Sequence, residues 1–209
     1  MKKTFVLIVL FVLPLVVYMF FASGVTNFGR LPILTEQVEE LNAFTGGAQL
    51  EGKITILGFP GSDDPARKGN AFNLNQKIYK PFFEFTDFQI VMLLPLGQEA
   101  FVTELKKDLG ALVDISNWEF VYGTSEQIEE IFRSLQSDIQ LDSTMGTSYV
   151  FIIDKERKLR GRKADDVTGT KYGFNTSSVA DLNNEMKDDV KIILAEYRLA
   201  LKKNQAERN

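Results

Sequence analysis

Four short apolar runs alternate with three amphipathic stretches between residues 53 and 162, and few architectures satisfy that alternation. "KITILGF" (53–59) is rich in β-branched residues and bounded by Gly52 and Pro60, which predicts a buried strand. "FQIVMLLP" (88–95), stopped by Pro95, predicts a second, and "WEFVYGT" (118–124) a third. "SYVFIIDKERKLRGR" (148–162) reads as strand, charged turn and strand, a β-hairpin. Between them lie helical patterns. "NAFNLNQKIYKPFFEF" follows a turn over 60–69 and is expected to be helical as far as Lys80, because Pro81 discourages continuation. "GQEAFVTELKKDLG" spaces Phe101, Leu105 and Leu109 four apart and ends on Gly110. Ile128, Ile131, Phe132 and Leu135 mark the apolar face of the next helix, whose start carries capping-box spacing at Thr124 and Gln127. A polar stretch, 163–178, leads to a long final helix with Leu182, Met186, Val190, Ile193, Leu194, Tyr197 and Leu201 along one face. The order β-α-β-α-β-α-β-β-α implies a central sheet covered by helices. A closing β-β-α after βαβ units is the thioredoxin-like arrangement. The 17 phenylalanines suit a core of packed aromatic rings.

The N-terminus sets the location. Lys2 and Lys3 precede an uncharged run from Thr4 to Val25, 22 residues, long enough to span a hydrocarbon core as a helix. Pro14 is tolerated in such a helix, and Tyr18, Phe20 and Phe21 cluster near its far end, as interfacial aromatics do. The lysines orient the N-terminus to the cytoplasm, so the rest of the chain is expected in the periplasm or on an equivalent outer face. A cleaved signal peptide is the alternative, with Ala22 and Gly24 as the small-residue site. The expected organisation is an anchor (or signal peptide) over 1–26, a juxtamembrane lead-in over 27–52, a folded domain over 53–203 and a polar tail over 204–209.

Composition narrows the chemistry. The chain has no cysteine and no histidine, which excludes disulfides, thiol redox couples, Cys or His metal sites and Ser–His or Cys–His dyads. Net charge is −4 overall and −6 without the two N-terminal lysines, so nucleic acid is not an expected partner.

The turn "FPGSDDPARKG" (59–69) lies where many α/β proteins keep their chemistry, and each of its residues has a plain alternative. Asp63 and Asp64 could help hold a hard cation, but Asp is also a turn former and a helix cap. Arg67 and Lys68 could meet an anion at the helix N-terminus, or form a solvated turn. Ser62 as a nucleophile needs a base, for which Lys68 is the candidate, and no G-x-S-x-G elbow is present. Met145 offers one thioether, a poor copper ligand alone. "NTS" at 175–177 matches a glycosylation acceptor that matters only in a eukaryotic secretory protein.

With its N-terminal apolar run, the lead-in "NFGRLPIL", the strand-turn "ITILGFPGSDDP" and the hairpin before a C-terminal helix, the chain resembles the SCO/SenC family of membrane-anchored thioredoxin-fold proteins. In that family the turn after the first core strand carries C-x-x-x-C and a histidine precedes the hairpin strand, together serving copper binding or thiol chemistry. Carried across, these positions fall at Ser62, Ala66 and Gly146. The resemblance therefore implies a family scaffold whose copper and thiol ligands are absent, with no cofactor. It implies a non-catalytic binding or assembly factor of the cell envelope, with an envelope protein as partner and a link to respiratory oxidase biogenesis. The alternatives are a thiol-independent enzyme using Ser62, Asp63 and Asp64, or a general structural or interaction protein.

Overall fold

The computed structural model describes residues 10–16, 29–62, 64–165 and 169–206. The strands expected from the apolar runs all form. β1 (Ile33–Thr35), β2 (Ile54–Pro60), β3 (Phe88–Pro95), β4 (Trp118–Gly123), β5 (Gly146–Ile153), β6 (Leu159–Arg160) and β9 (Phe174–Asn175) make one mixed sheet. Its order is β1-β6-β5-β2-β3-β4, with β9 also paired to β5. β2, β3 and β4 are parallel, while β5 runs antiparallel to β2. β7 (Arg162–Asp165) and β8 (Gly169–Lys171) form a separate two-stranded ribbon.

Strand periodicity divides the core into two layers. Ile54 and Ile56 of β2, Phe88, Ile90, Met92 and Leu94 of β3, and Val150 and Ile152 of β5 face one side. There they meet α1 (Pro65–Leu74), α2 (Glu99–Gly110) and the C-terminal helix α4 (Lys187–Ala206). The alternate residues, among them Leu57, Phe59, Val91, Leu93 and Phe151, face α3 (Ser125–Ser134) and the segment before β2. On that side Phe59, Phe132 and Phe151 contact one another edge-on, with centroids 5.1 to 6.1 Å apart. This is a favourable aromatic arrangement and accounts for part of the heavy phenylalanine usage.

Local signals hold at the helix starts. Thr124 Oγ1 accepts from Gln127 N and Gln127 Oε1 accepts from Thr124 N, the reciprocal capping box. Leu182, Met186, Val190, Ile193 and Leu194 are buried along the final helix, as their spacing predicts.

Four expectations need correction. The turn after β2 does not run to residue 69: Pro65 already occupies the first helical position, with Asp64 as its cap. The helix also does not stop at Lys80. A π-helical turn, Asn75–Tyr79, carries it on to Lys80–Phe82, with Lys80 N donating to Asn75 O. The wider turn relaxes the i−4 contact through which a proline breaks a regular helix. The lead-in 27–52 is part of the folded body, because β1 pairs with β6 and Leu31, Val38, Leu41, Phe44 and Leu50 are buried. The polar stretch 163–178 contains β7, β8 and β9.

Most of the expected anchor, 1–26, lies outside the described residues; 10–16 are helical. Among the described residues no helix is long and apolar enough to cross a membrane.

Candidate functional site

The turn after β2 meets the start of β5 backbone to backbone. Pro60 is opposite Gly146 in the antiparallel pair. Gly61 adopts φ +71°, a conformation that favours glycine. A Cβ on Gly61 would lie 2.7 Å from Thr144 Oγ1 and 2.9 Å from Gly146 Cα. A Cβ on Gly146 would lie 3.0 Å from Pro60 O and 3.2 Å from Gly61 Cα. The two segments are therefore in close contact: a side chain at Gly61 would clash outright, and one at Gly146 would need the facing backbone to give by a few tenths of an ångström.

Beyond Gly61, Ser62 is half-buried in a bend. Asp64 has extended backbone, and its Oδ1 accepts from Ala66 N at 2.8 Å, a cap on α1. Ala66 is exposed in the first turn of the helix. Asp63 lies outside the described residues.

A lock joins this helix start to the loop before β5. Asp142 Oδ1 accepts from Thr144 N at 2.8 Å, Thr144 Oγ1 at 2.6 Å and Gly146 N at 3.0 Å. Its other oxygen, Oδ2, accepts from Arg67 Nη2 at 2.5 Å. Arg67 Nη1 reaches on to Ser148 Oγ at 2.9 Å, which Asn70 Nδ2 also contacts at 3.3 Å. The loop closes on itself through Asp142 N to Gly146 O and Met145 N to Asp142 O, with Met145 at φ +60°. Arg67 thus serves as an internal strut, beyond the solvated turn or anion site that its position suggests.

Desolvation acts to raise the pKa of Asp142, but the hydrogen bonds from Thr144 and Gly146 and the Arg67 charge outweigh it and hold the carboxyl below its usual range. Because the folded value is depressed, the stabilisation from ionised Asp142 is complete well above the unfolded value of about 3.9 and is lost as pH falls through the folded value. Asp142→Asn is expected to lower unfolding free energy by about 1 to 2 kcal/mol at pH 7, a charge-assisted network discounted for its exposed position. Urea titrations should show the gap between wild type and variant closing as pH drops below about 4. A gap unchanged down to pH 2 would rule out the carboxylate as the source.

The other candidates are engaged elsewhere. Lys68 Nζ bridges Asp108 at 2.6 Å and Glu104 at 2.9 Å on α2. Hydrogen bonds to those carboxylates raise its pKa, so it stays protonated and cannot act as a base for Ser62. The Met145 side chain packs against the α3 side of the core. Beneath the turn is a cavity of about 30 Å³ between Met92, Leu74, Leu105 and Val150, with Arg67 and Asn70 at its edge. That is room for about one water, far below the hundreds of Å³ of a cofactor pocket. Among the described residues no three carboxylates group to hold a metal ion. At Ser62, Ala66 and Gly146 the chain presents a hydroxyl, a methyl group and a hydrogen, which do not fit the thiolate and imidazole donors that copper(I) requires.

No protein-family model matches this sequence. No curated protein matches it either. Solved structures do match in fold. BsSco, a member of the Sco family of cytochrome c oxidase assembly proteins, is 18% identical with a TM-score of 0.51, covering 77% of this chain and 95% of its own. A protein from Aquifex aeolicus described as a candidate for electron transfer is 16% identical with a TM-score of 0.52, covering 76% and 92%. A SCO1/SenC family lipoprotein from Bacillus anthracis is 19% identical with a TM-score of 0.50, covering 77% and 96%. The sheet order, the helix layers and these likenesses agree: the chain has the thioredoxin-like fold that Sco/SenC proteins adopt.

Proposed function

We propose that this chain is a divergent Sco-type protein that has kept the scaffold and given up its metal and thiol chemistry. In this reading 1–26 anchor it in the membrane, or act as a signal peptide, and the folded body faces the extracytoplasmic side. It works without catalysis, by binding an envelope protein during assembly of a respiratory oxidase. Ser62, Ala66 and Gly146 are the remnants of the family site. The observation that carries the proposal is the Arg67–Asp142 lock, with Gly61 against Gly146, which fills the place of a reactive centre with structural contacts. The oxidase link rests on BsSco belonging to a family of cytochrome c oxidase assembly proteins.

Deleting the gene from its source organism is expected to lower assembled cytochrome c oxidase in the membrane. Wild type and a Ser62→Ala, Asp64→Ala double variant should restore it equally. Undiminished oxidase in the deletion strain would overturn the assembly role. Failure of the double variant, at normal protein levels, would favour an enzyme acting through the turn.

A further inference from the structure

The fold fixes which end of the molecule lies nearest the N-terminal apolar run. The turn after β2, the loop before β5 and the Arg67–Asp142 lock all sit at one end of the sheet, where the parallel strands finish. At the other end the strands begin, joined by residues 83–87 and by the 154–158 turn, where β5 finishes beside the start of β2. α4 runs towards this second end: Glu185, in the turn just before it, contacts Lys171, and Tyr197 along it donates to Glu156 in the 154–158 turn.

Gly29 and Arg30 line a cleft of about 620 Å³ together with Lys158, Tyr197, Leu199 and Ala200. An adjoining cleft of about 250 Å³ shares Tyr197 and adds Phe85, Lys155 and Arg198. The uncharged run ends at Val25, so Gly29 lies at most about 14 Å along the chain from its last residue.

We propose that this end of the domain, opposite the lock, rests on an anionic lipid surface. The inference rests on the reading of residues 1–26 as an anchor. Phe85 and Leu199 are large apolar side chains left 39% and 42% exposed here. Tyr197 is an aromatic ring beside them, and such rings favour the headgroup region. Most of the local carboxylates are internally engaged, while Glu84, beside Phe85, is exposed. Asp87 pairs with Lys155, Asp154 and Glu196 pair with Arg160, and Glu156 accepts from Tyr197. Arg30 and Arg198 are exposed and enter no ion pair among the described residues, whereas Lys158 pairs with Glu36. Basic and aromatic groups around apolar side chains match the chemistry of an anionic interface. The lock end then points into solution, open to a protein partner.

A chain without native cysteine suits single-site spin labelling. The full chain would be reconstituted in nanodiscs of phosphatidylcholine and phosphatidylglycerol, with labels at Phe85→Cys, Leu199→Cys, Leu96→Cys and Val12→Cys. Leu96 is exposed after β3 at the lock end and is the aqueous control. Labels at 85 and 199 are expected to gain several-fold in oxygen accessibility and lose nickel-chelate accessibility relative to 96, with the contrast weakening in pure phosphatidylcholine. If the label at 12 lies in lipid while 85 and 199 are as aqueous as 96, the orientation is wrong and the anchor stands. If the label at 12 is aqueous, the anchor reading itself fails and takes the orientation with it.

Discussion

Asp154→Ala is expected to destabilise the fold by about 3 to 5 kcal/mol, the largest single effect of any charged position. Asp154 is fully buried, and its Oδ2 accepts from Arg160 Nη1 at 2.8 Å. Its Oδ1 accepts from Glu156 N at 3.0 Å and Lys158 N at 2.8 Å, which shapes the turn between β5 and β6. Arg160 is 4% exposed. Its Nε donates to Leu31 O at 2.8 Å and its Nη2 to Glu196 at 2.6 Å. One guanidinium thereby ties the lead-in, the hairpin and α4 together. Burial opposes its charge, but the two carboxylates outweigh burial and raise its pKa, so it stays protonated. Removing Asp154 strands part of that charge and two backbone donors in a dry place. Asp154→Asn keeps acceptors for the turn and should cost less. Urea denaturation of both variants checks the order. A loss below about 1 kcal/mol for the alanine variant would mean that water from the neighbouring cleft already solvates the pair.

The elements built from local pattern were legible in the sequence. "ITILGF" and "FQIVMLLP" announce buried strands, Thr124 with Gln127 announces a cap, and the spacing from Leu182 to Leu194 announces the packed face of the C-terminal helical stretch that ends in α4. β1 was not legible, because three residues hold no periodicity and its pairing with β6 is fixed 124 or more residues away. The π-helical turns, Asn75–Tyr79 and a second at Leu182–Met186 just before α4, were not legible because nothing in "NQKIY" or "LNNEM" distinguishes them from a regular helix. The site divides in the same way. Asp64 as a cap follows from residue type and position, and the absence of thiolate and imidazole groups follows from composition. The roles of Arg67 and Lys68 do not, since Asp142 lies 75 residues from Arg67 and Glu104 lies 36 from Lys68. Side chains that appear solvated in a linear reading become struts once distant elements arrive beside them.

The copper prediction depends on both kinds of information. Composition removes the donors, and at Gly146 a side chain requires the backbone of Pro60 and Gly61 to give by a few tenths of an ångström. A Ser62→Cys, Ala66→Cys variant supplies two thiolates, which are good copper(I) ligands. Adding Gly146→His forces a Cβ to 3.0 Å from Pro60 O in a pair held by Asp142. The third substitution should therefore tighten copper(I) binding by less than about tenfold, or about 1.4 kcal/mol, while lowering stability. A gain of several orders of magnitude would mean that the loop yields readily and that the lock is incidental.

The most direct test is an anaerobic copper(I) titration of the purified native chain against a chromophoric chelator, with binding read from the chelator absorbance. The lock and the donor set predict no stoichiometric site in the sub-micromolar range. One equivalent of tightly held copper(I) would contradict the account, because it would require a metal centre made without thiolate or imidazole.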